Sequence, residues 1–241
     1  MTGVITQTNR SLNIGGIHKF SMIEYPGKLC AVFFTQGCNF RCPYCHNPEL
    51  VKPELFGDII EDQEVLSFLE SRRGKLEAVS ITGGEPTLHS GLINFLKDIK
   101  AIGYHIKLDT NGSNPQVLGE AIDLKLVDYL AMDIKAPLAK YEEVARVRVD
   151  TEKIKESINL IINSGIKHEF RTTIAKTLLA KEDIYEIAKL IKGAKQYALQ
   201  RLSNLKTLDK QFLKKTAYSF EELVLIKKEV EKYLDCCLIR N

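Results

Sequence analysis

No apolar run in this 241-residue chain approaches the length needed to span a bilayer. Met1 to Ile14 is polar and lacks a positively charged head followed by an apolar block, so no secretory signal is expected. Internal repeats, low-complexity segments and a disordered composition are missing too. The net charge is only +3, too small to imply a nucleic acid or an anionic membrane as partner. These absences predict a cytoplasmic protein with neither membrane nor nucleic acid among its partners. What is present is a 44% hydrophobic content, enough for a substantial core.

The six cysteines are unevenly spread: half of them fall in the eight residues from Cys38 to Cys45. Clustered thiols in a reducing compartment read as metal ligands or redox groups rather than disulfides. The apolar run Leu29 to Thr35 reads as a strand that stops at Gln36-Gly37, which puts the three cysteines in the loop leaving it. Three thiolates can each take one iron of a 4Fe-4S cube, whose usual complement is four, and leave one iron open to a small chelating molecule. Other readings share these residues. Cys42-Pro-Tyr-Cys45-His46 satisfies the haem-attachment string, and Cys42-Pro-Tyr-Cys45 the thioredoxin-like pattern. A zinc site could take the three cysteines with His46, His18 or His89 as the fourth ligand.

Along the chain, strand and helix patterns alternate. Strands are predicted at 29–35, 78–82, 105–110, 129–134, 167–173 and 195–199, with helices at 63–73, 92–102, 115–124, 151–164, 181–192 and 219–234. A short antiparallel pair is expected ahead of the first main strand. Six strands alternating with helices predict a parallel α/β sheet with right-handed crossovers, an open partial (β/α)6 TIM-like barrel, with a doubly wound sheet as the alternative. The expected domains are a lead-in over 1–28, the barrel over 29–205, and a C-terminal helical extension over 206–241 packed on it.

The unusual polar residues all follow strands. Cys38 to Cys45 follow the first, Gly83, Gly84 and Glu85 the second, Asp109 and Asn111 the third, and Asp133 and Lys135 the fourth. Arg171 and Thr173 follow the fifth and Gln200 the sixth. In parallel α/β folds the carboxyl ends of the strands lie on one rim, so these groups should meet at one mouth. Taken alone, a glycine pair is usually a turn, and Asp133 with Lys135 reads as an ordinary ion pair.

Cys38-x3-Cys42-x2-Cys45, with Tyr44 at the aromatic position, and Gly83-Gly84-Glu85-Pro86 together resemble the two signatures of the radical SAM enzymes over roughly residues 15 to 200. The resemblance implies the partial barrel, one 4Fe-4S cluster on Cys38, Cys42 and Cys45, and S-adenosyl-L-methionine chelating the open iron. By matching position, Gly83, Gly84 and Glu85 would bind the methionine amino group, Asp109 and Asn111 the ribose or carboxylate, Lys135 the carboxylate, and Asp133 a polar substrate or the ribose. The Tyr44 backbone would lie near the adenine. No clear Gly-x-Ile-x-Gly adenine motif surrounds Ile174, which leaves Arg171, Thr173 and Gln200 without a role.

The stretch from His18 and Ser21 through Tyr25-Pro26-Gly27 to Asn47-Pro48 looks like the glycyl-radical-enzyme activating proteins, most of all those of anaerobic ribonucleoside-triphosphate reductase. That resemblance implies an oxidoreductase that cleaves S-adenosylmethionine to a 5'-deoxyadenosyl radical and makes a glycyl radical on a partner enzyme. A flavodoxin- or ferredoxin-type protein would supply the electron. No catalytic acid or base is assigned, and His18, His46 and His89 are read as turn or surface residues. The alternatives are a radical SAM enzyme acting on a small molecule or tRNA-modification precursor, similar to 7-carboxy-7-deazaguanine synthase, and a non-enzymatic iron-sulfur or zinc protein. Cys30 is expected in the core, and one of Cys236 and Cys237 buried with the other exposed.

Overall fold

The computed structural model describes residues 12–202, 206–214 and 217–240, so the first eleven residues of the lead-in and parts of the lysine-rich loop lie outside the described residues. Eight strands form one sheet: β1 (Ile14–Ser21), β2 (Cys30–Thr35), β3 (Ala78–Gly83), β4 (His105–Thr110), β5 (Tyr129–Asp133), β6 (Lys167–Ile174), β7 (Tyr197–Arg201) and β8 (Cys237–Arg240). The helices between them are α1 (Asp62–Ser71), α2 (Leu92–Ile102), α3 (Pro115–Asp123), α4 (Tyr141–Ala145), α5 (Thr151–Asn163), α6 (Lys181–Leu190) and α7 (Phe220–Val230).

Strands lie side by side in strict sequence order, β2 to β8 parallel and β1 antiparallel to β2. A doubly wound sheet reverses its strand order at a switch point. This sheet has no such reversal, which removes that alternative. Six βα units run from β2 to α7, and β8 adds a seventh parallel strand. The antiparallel partner expected near the start is present, but it pairs with β2 itself, because the turn through Tyr25-Pro26-Gly27 sends the chain directly back.

Alternation along the parallel strands builds two cores. Outward residues such as Ala31 and Phe33 on β2 pack against buried helix faces such as Leu92, Phe95, Leu96 and Ile99 of α2, one stripe at helical spacing. Inward residues Cys30, Val32, Ala78, Tyr129 and Ala131 form a second cluster with Tyr25. In a flat sheet β2 and β5 would stand roughly 14 Å apart, three strand spacings. Yet one cluster joins β2, β3 and β5, and the Tyr25 ring, just ahead of β2, lies 5.9 Å from that of Tyr129 on β5, so the sheet curls into a barrel, which stays open between its edge strands β1 and β8. Cys30 and Cys237 are buried and Cys236 is half-buried. Among the described residues, no helix is long and apolar enough to cross a membrane.

Candidate active site

Apolar side chains fill the barrel towards the strand starts, and polar ones gather where the strands end. There lies a cavity of about 350 Å³, within the roughly 300–1,000 Å³ of small-molecule sites. All eleven residues singled out from the sequence line it: Cys38, Cys42, Tyr44 and Cys45 after β2, Gly83, Gly84 and Glu85 at β3, Asp109 and Asn111 at β4, and Asp133 and Lys135 at β5. Arg171, Thr173 and Gln200 line it as well.

The glycine pair sits where two backbones meet. The Gly84 amide donates to Thr35 O (2.8 Å) and the Glu85 amide to Gly37 O (2.8 Å), zipping the end of β3 onto the entrance of the cysteine loop. A Cβ on Gly84 would stand 2.0 Å from Gly37 O, and one on Gly83 would stand 2.3 Å from Thr35 N. Gly83 also holds φ +116°, outside the comfortable range of L side chains. Glycine is required at both positions by the protein's own packing.

Glu85 behaves as a staple. Its buried carboxylate accepts from the Thr87 amide (3.1 Å) and hydroxyl (2.6 Å), the Thr110 hydroxyl (2.8 Å) and the Asn111 amide (2.6 Å). Burial pushes its pKa up, against four donors that pull the other way. With those four bonds in place, the side chain ties β3 to the end of β4, while the Glu85 carbonyl accepts from the Leu88 amide at 3.2 Å. Asn111 continues the chain of contacts, its amide donating to Asn39 Oδ1 at 2.9 Å and lying 3.9 Å from Cys38 Sγ.

Deeper in the barrel an ion network crosses three strands. Asp109 pairs with Lys107 and accepts from Arg171 at 2.9 Å. Arg171 also donates through Nε to Asp133 at 2.7 Å, and Asp133 accepts from Lys135 at 3.0 Å. Burial raises both carboxyls, but Arg171 with Lys107 or Lys135 outweighs it, and both end below the ordinary carboxylate range. Lys135 is desolvated yet held well above its usual value, chiefly by Asp133. Of these groups Asp109, Asp133, Lys135 and Arg171 line the cavity, so on its wall the two cations balance the two aspartates.

The three thiols are all pushed up by burial, Cys38 to about 12. The Tyr44 hydroxyl is buried without a nitrogen or oxygen partner, with the Cys42 thiol beside it. Among the described residues, no three His, Cys, Asp or Glu side chains converge as the ligands of a single ion do. His46 and His18 are exposed, and His18 packs edge-on against Phe34.

Sequence reasoning overlooked Lys107, whose position inside a strand looks like an ordinary outward lysine. Only its spacing of two from Asp109 placed it on the inward face. The bridging role of Arg171 was equally hidden, since its partners lie 38 and 62 residues away. Asn39 gave no signal beyond its place between two cysteines.

The Radical SAM superfamily model matches residues 32–194. The chain is 37% identical over 234 residues to the "Putative glycyl-radical enzyme activating enzyme MJ1227" of Methanocaldococcus jannaschii, covering 95% of each. It is 30% identical over 239 residues to the pyruvate formate-lyase-activating enzyme of Clostridium pasteurianum, covering 92% of this chain and 94% of the relative. Among solved structures, Streptococcus suis SuiB bound to precursor peptide SuiA superposes with a TM-score of 0.67 at 16% identity, covering 86% of this chain and 47% of that one. Two signatures facing one cavity, a sequential open barrel and relatives matched nearly end to end agree: this chain is an enzyme of the radical SAM superfamily.

Proposed function

We propose that this enzyme activates a glycyl-radical enzyme, anaerobic ribonucleoside-triphosphate reductase, in the cytoplasm. The observation that carries the reading is the meeting, around one cavity, of three clustered thiols, a tightly packed glycine pair and a charged network that includes Lys135. Its likeness over 95% of the chain to a relative named as a glycyl-radical enzyme activating enzyme supports the choice of substrate class.

Radical SAM enzymes use a 4Fe-4S cluster and S-adenosylmethionine, and the walls fit both. Cys38, Cys42 and Cys45 offer three soft ligands on one loop at the mouth of the cavity, the donor type that iron-sulfur clusters take. When bound, the pair supplies one-electron cleavage of the sulfonium and a carbon-centred radical. Everything else falls to the chain's own side chains. Lys135 suits the methionine carboxylate; Asp109, Asn111 and Asp133 offer polar contacts for the ribose end; the backbone of half-buried Gly83 and Gly84 and of buried Glu85 would bind the amino group. Tyr44 closes the wall beside Cys42. A glycine-bearing loop of the partner would enter where β1 and β8 leave the barrel open. The electron would come from a flavodoxin- or ferredoxin-type donor.

The test is anaerobic co-incubation of the cluster-loaded enzyme, S-adenosylmethionine and reductant with the anaerobic ribonucleoside-triphosphate reductase of the same genome. Electron spin resonance should then show a glycyl doublet on the reductase. Turnover of S-adenosylmethionine without that doublet, and stimulated instead by a small heterocycle, would overturn the assignment.

A further inference from the structure

We propose that residues 206–212 form a clamp that fixes the cysteine loop and screens its last cysteine from solvent. The segment is distant in sequence from the loop, yet it lies directly on it. The Leu208 amide donates to Cys45 O at 2.9 Å and the Asp209 amide to Pro43 O at 3.0 Å. Phe212 is buried, with its ring 6.4 Å from that of Tyr44. Lys206 pairs with Glu49 at 2.6 Å in the short turn after the cysteines, and Arg146, at the end of α4, pairs with Asp209 at 2.9 Å. The segment is also folded on itself: the Thr207 hydroxyl donates to Asp209 O (2.8 Å), and the Gln211 amide to Asp209 Oδ1 (3.0 Å).

The need for such a clamp follows from the loop's construction. Residues 36–47 contain no strand or helix to hold them in register. The first half is tied to its neighbours by the Gly37 amide on Leu50 O (2.8 Å), the Glu85 amide on Gly37 O (2.8 Å), Asn111 on Asn39 Oδ1 (2.9 Å) and the Arg41 amide on Ala145 O (2.8 Å). The second half, Cys42 to His46, has the Cys45 amide on Cys42 O (3.0 Å) within it and residues 206–212 across it. Backbone of this kind opens at low cost unless other elements pack on it, whereas a ligand set must be held to a fraction of an ångström. The two exposed ion pairs contribute little. The two backbone hydrogen bonds and the buried Phe212 ring carry the clamp, and Phe212 acts through Tyr44 as a positioning residue.

The first arm of the test needs no cluster and so stands apart from the proposed function. In metal-free full-length protein, alkylation of each cysteine by iodoacetamide is followed by mass spectrometry in wild type, Phe212→Ala and Leu208→Pro. The proline removes the amide that bonds Cys45 O. Cys45 should react at least about fivefold faster in both variants, while Cys30, inside the barrel, keeps its wild-type rate. The second arm loads the same proteins with iron and sulfide under nitrogen. Both variants should lose cluster absorption faster in air. Their midpoint potentials should be less negative than wild type, because solvent favours the more highly charged reduced cube. Unchanged Cys45 labelling in both variants, or equal acceleration at Cys30 and Cys45, overturns the clamp. Faster Cys45 labelling in a chain that takes up no cluster supports the clamp and overturns the cluster instead.

Discussion

Replacing Glu85 by alanine separates a staple from a ligand-binding carboxylate. The side chain is buried and takes two backbone amides, those of Thr87 and Asn111, together with the hydroxyls of Thr87 and Thr110. The hydroxyls can rotate to other acceptors, but the amides are fixed and would face a hole. A buried donor left without a partner costs about 1–3 kcal/mol, so two amides set a gross loss of about 2–6 kcal/mol. Relief of the carboxylate's own desolvation offsets part of this, leaving a net loss of about 3 kcal/mol. For a chain of this size that lowers the melting temperature by on the order of 10 °C. The measurement belongs in metal-free protein without S-adenosylmethionine, so that only the fold reports. Because the chain has no tryptophan, far-ultraviolet circular dichroism is the natural probe. Glu85→Gln keeps one acceptor oxygen and should fall between wild type and Glu85→Ala. If metal-free Glu85→Ala melts with wild type, the staple is wrong and the carboxylate returns to direct contact with the methionine amino group.

Gly84→Ala forces a methyl to within 2.0 Å of Gly37 O, so the end of β3 must part from the cysteine loop. A loss of about 1–3 kcal/mol is expected in urea unfolding, with poorer iron uptake; wild-type values for both would contradict the contact. Asp109→Asn tests the ion network through pH. Burial raises the Asp109 carboxyl, but Arg171 and Lys107 hold it below its ordinary range, so its contribution is fully present above about pH 4 and is lost as pH falls through the native value. The stability gap between wild type and Asp109→Asn should therefore be widest near neutrality and shrink in acid; a gap that widens in acid would refute the pairing.

The strands and helices were legible because their faces are simple. Inward and outward residues alternate on β2, and α2 carries one apolar stripe, so their bounds fall within a residue or two of the periodicity. The gathering of Cys38, Gly83, Asp109 and Asp133 at one mouth was legible too, since parallel strands end on one rim. What those groups do to one another was not. Glu85 reads as part of a motif, yet its carboxylate is used up by Thr87, Thr110 and Asn111, a fact that depends on how β4 ends beside β3. Arg171 has no local signal because both of its carboxylates come from other strands. The contact of Leu208 and Phe212 with the cysteine loop joins segments more than 160 residues apart, with no shared pattern to announce it.

The assignment to Cys38, Cys42 and Cys45 of a cube with one iron free for S-adenosylmethionine is a proposal. It is tested by reconstituting the chain with iron and sulfide under anaerobic conditions, reducing it with dithionite and assaying for 5'-deoxyadenosine. Wild type should give 5'-deoxyadenosine, and alanine variants of any of the three cysteines none. A preparation that takes up zinc stoichiometrically and refuses iron, or cysteine variants that still cleave S-adenosylmethionine, would contradict it.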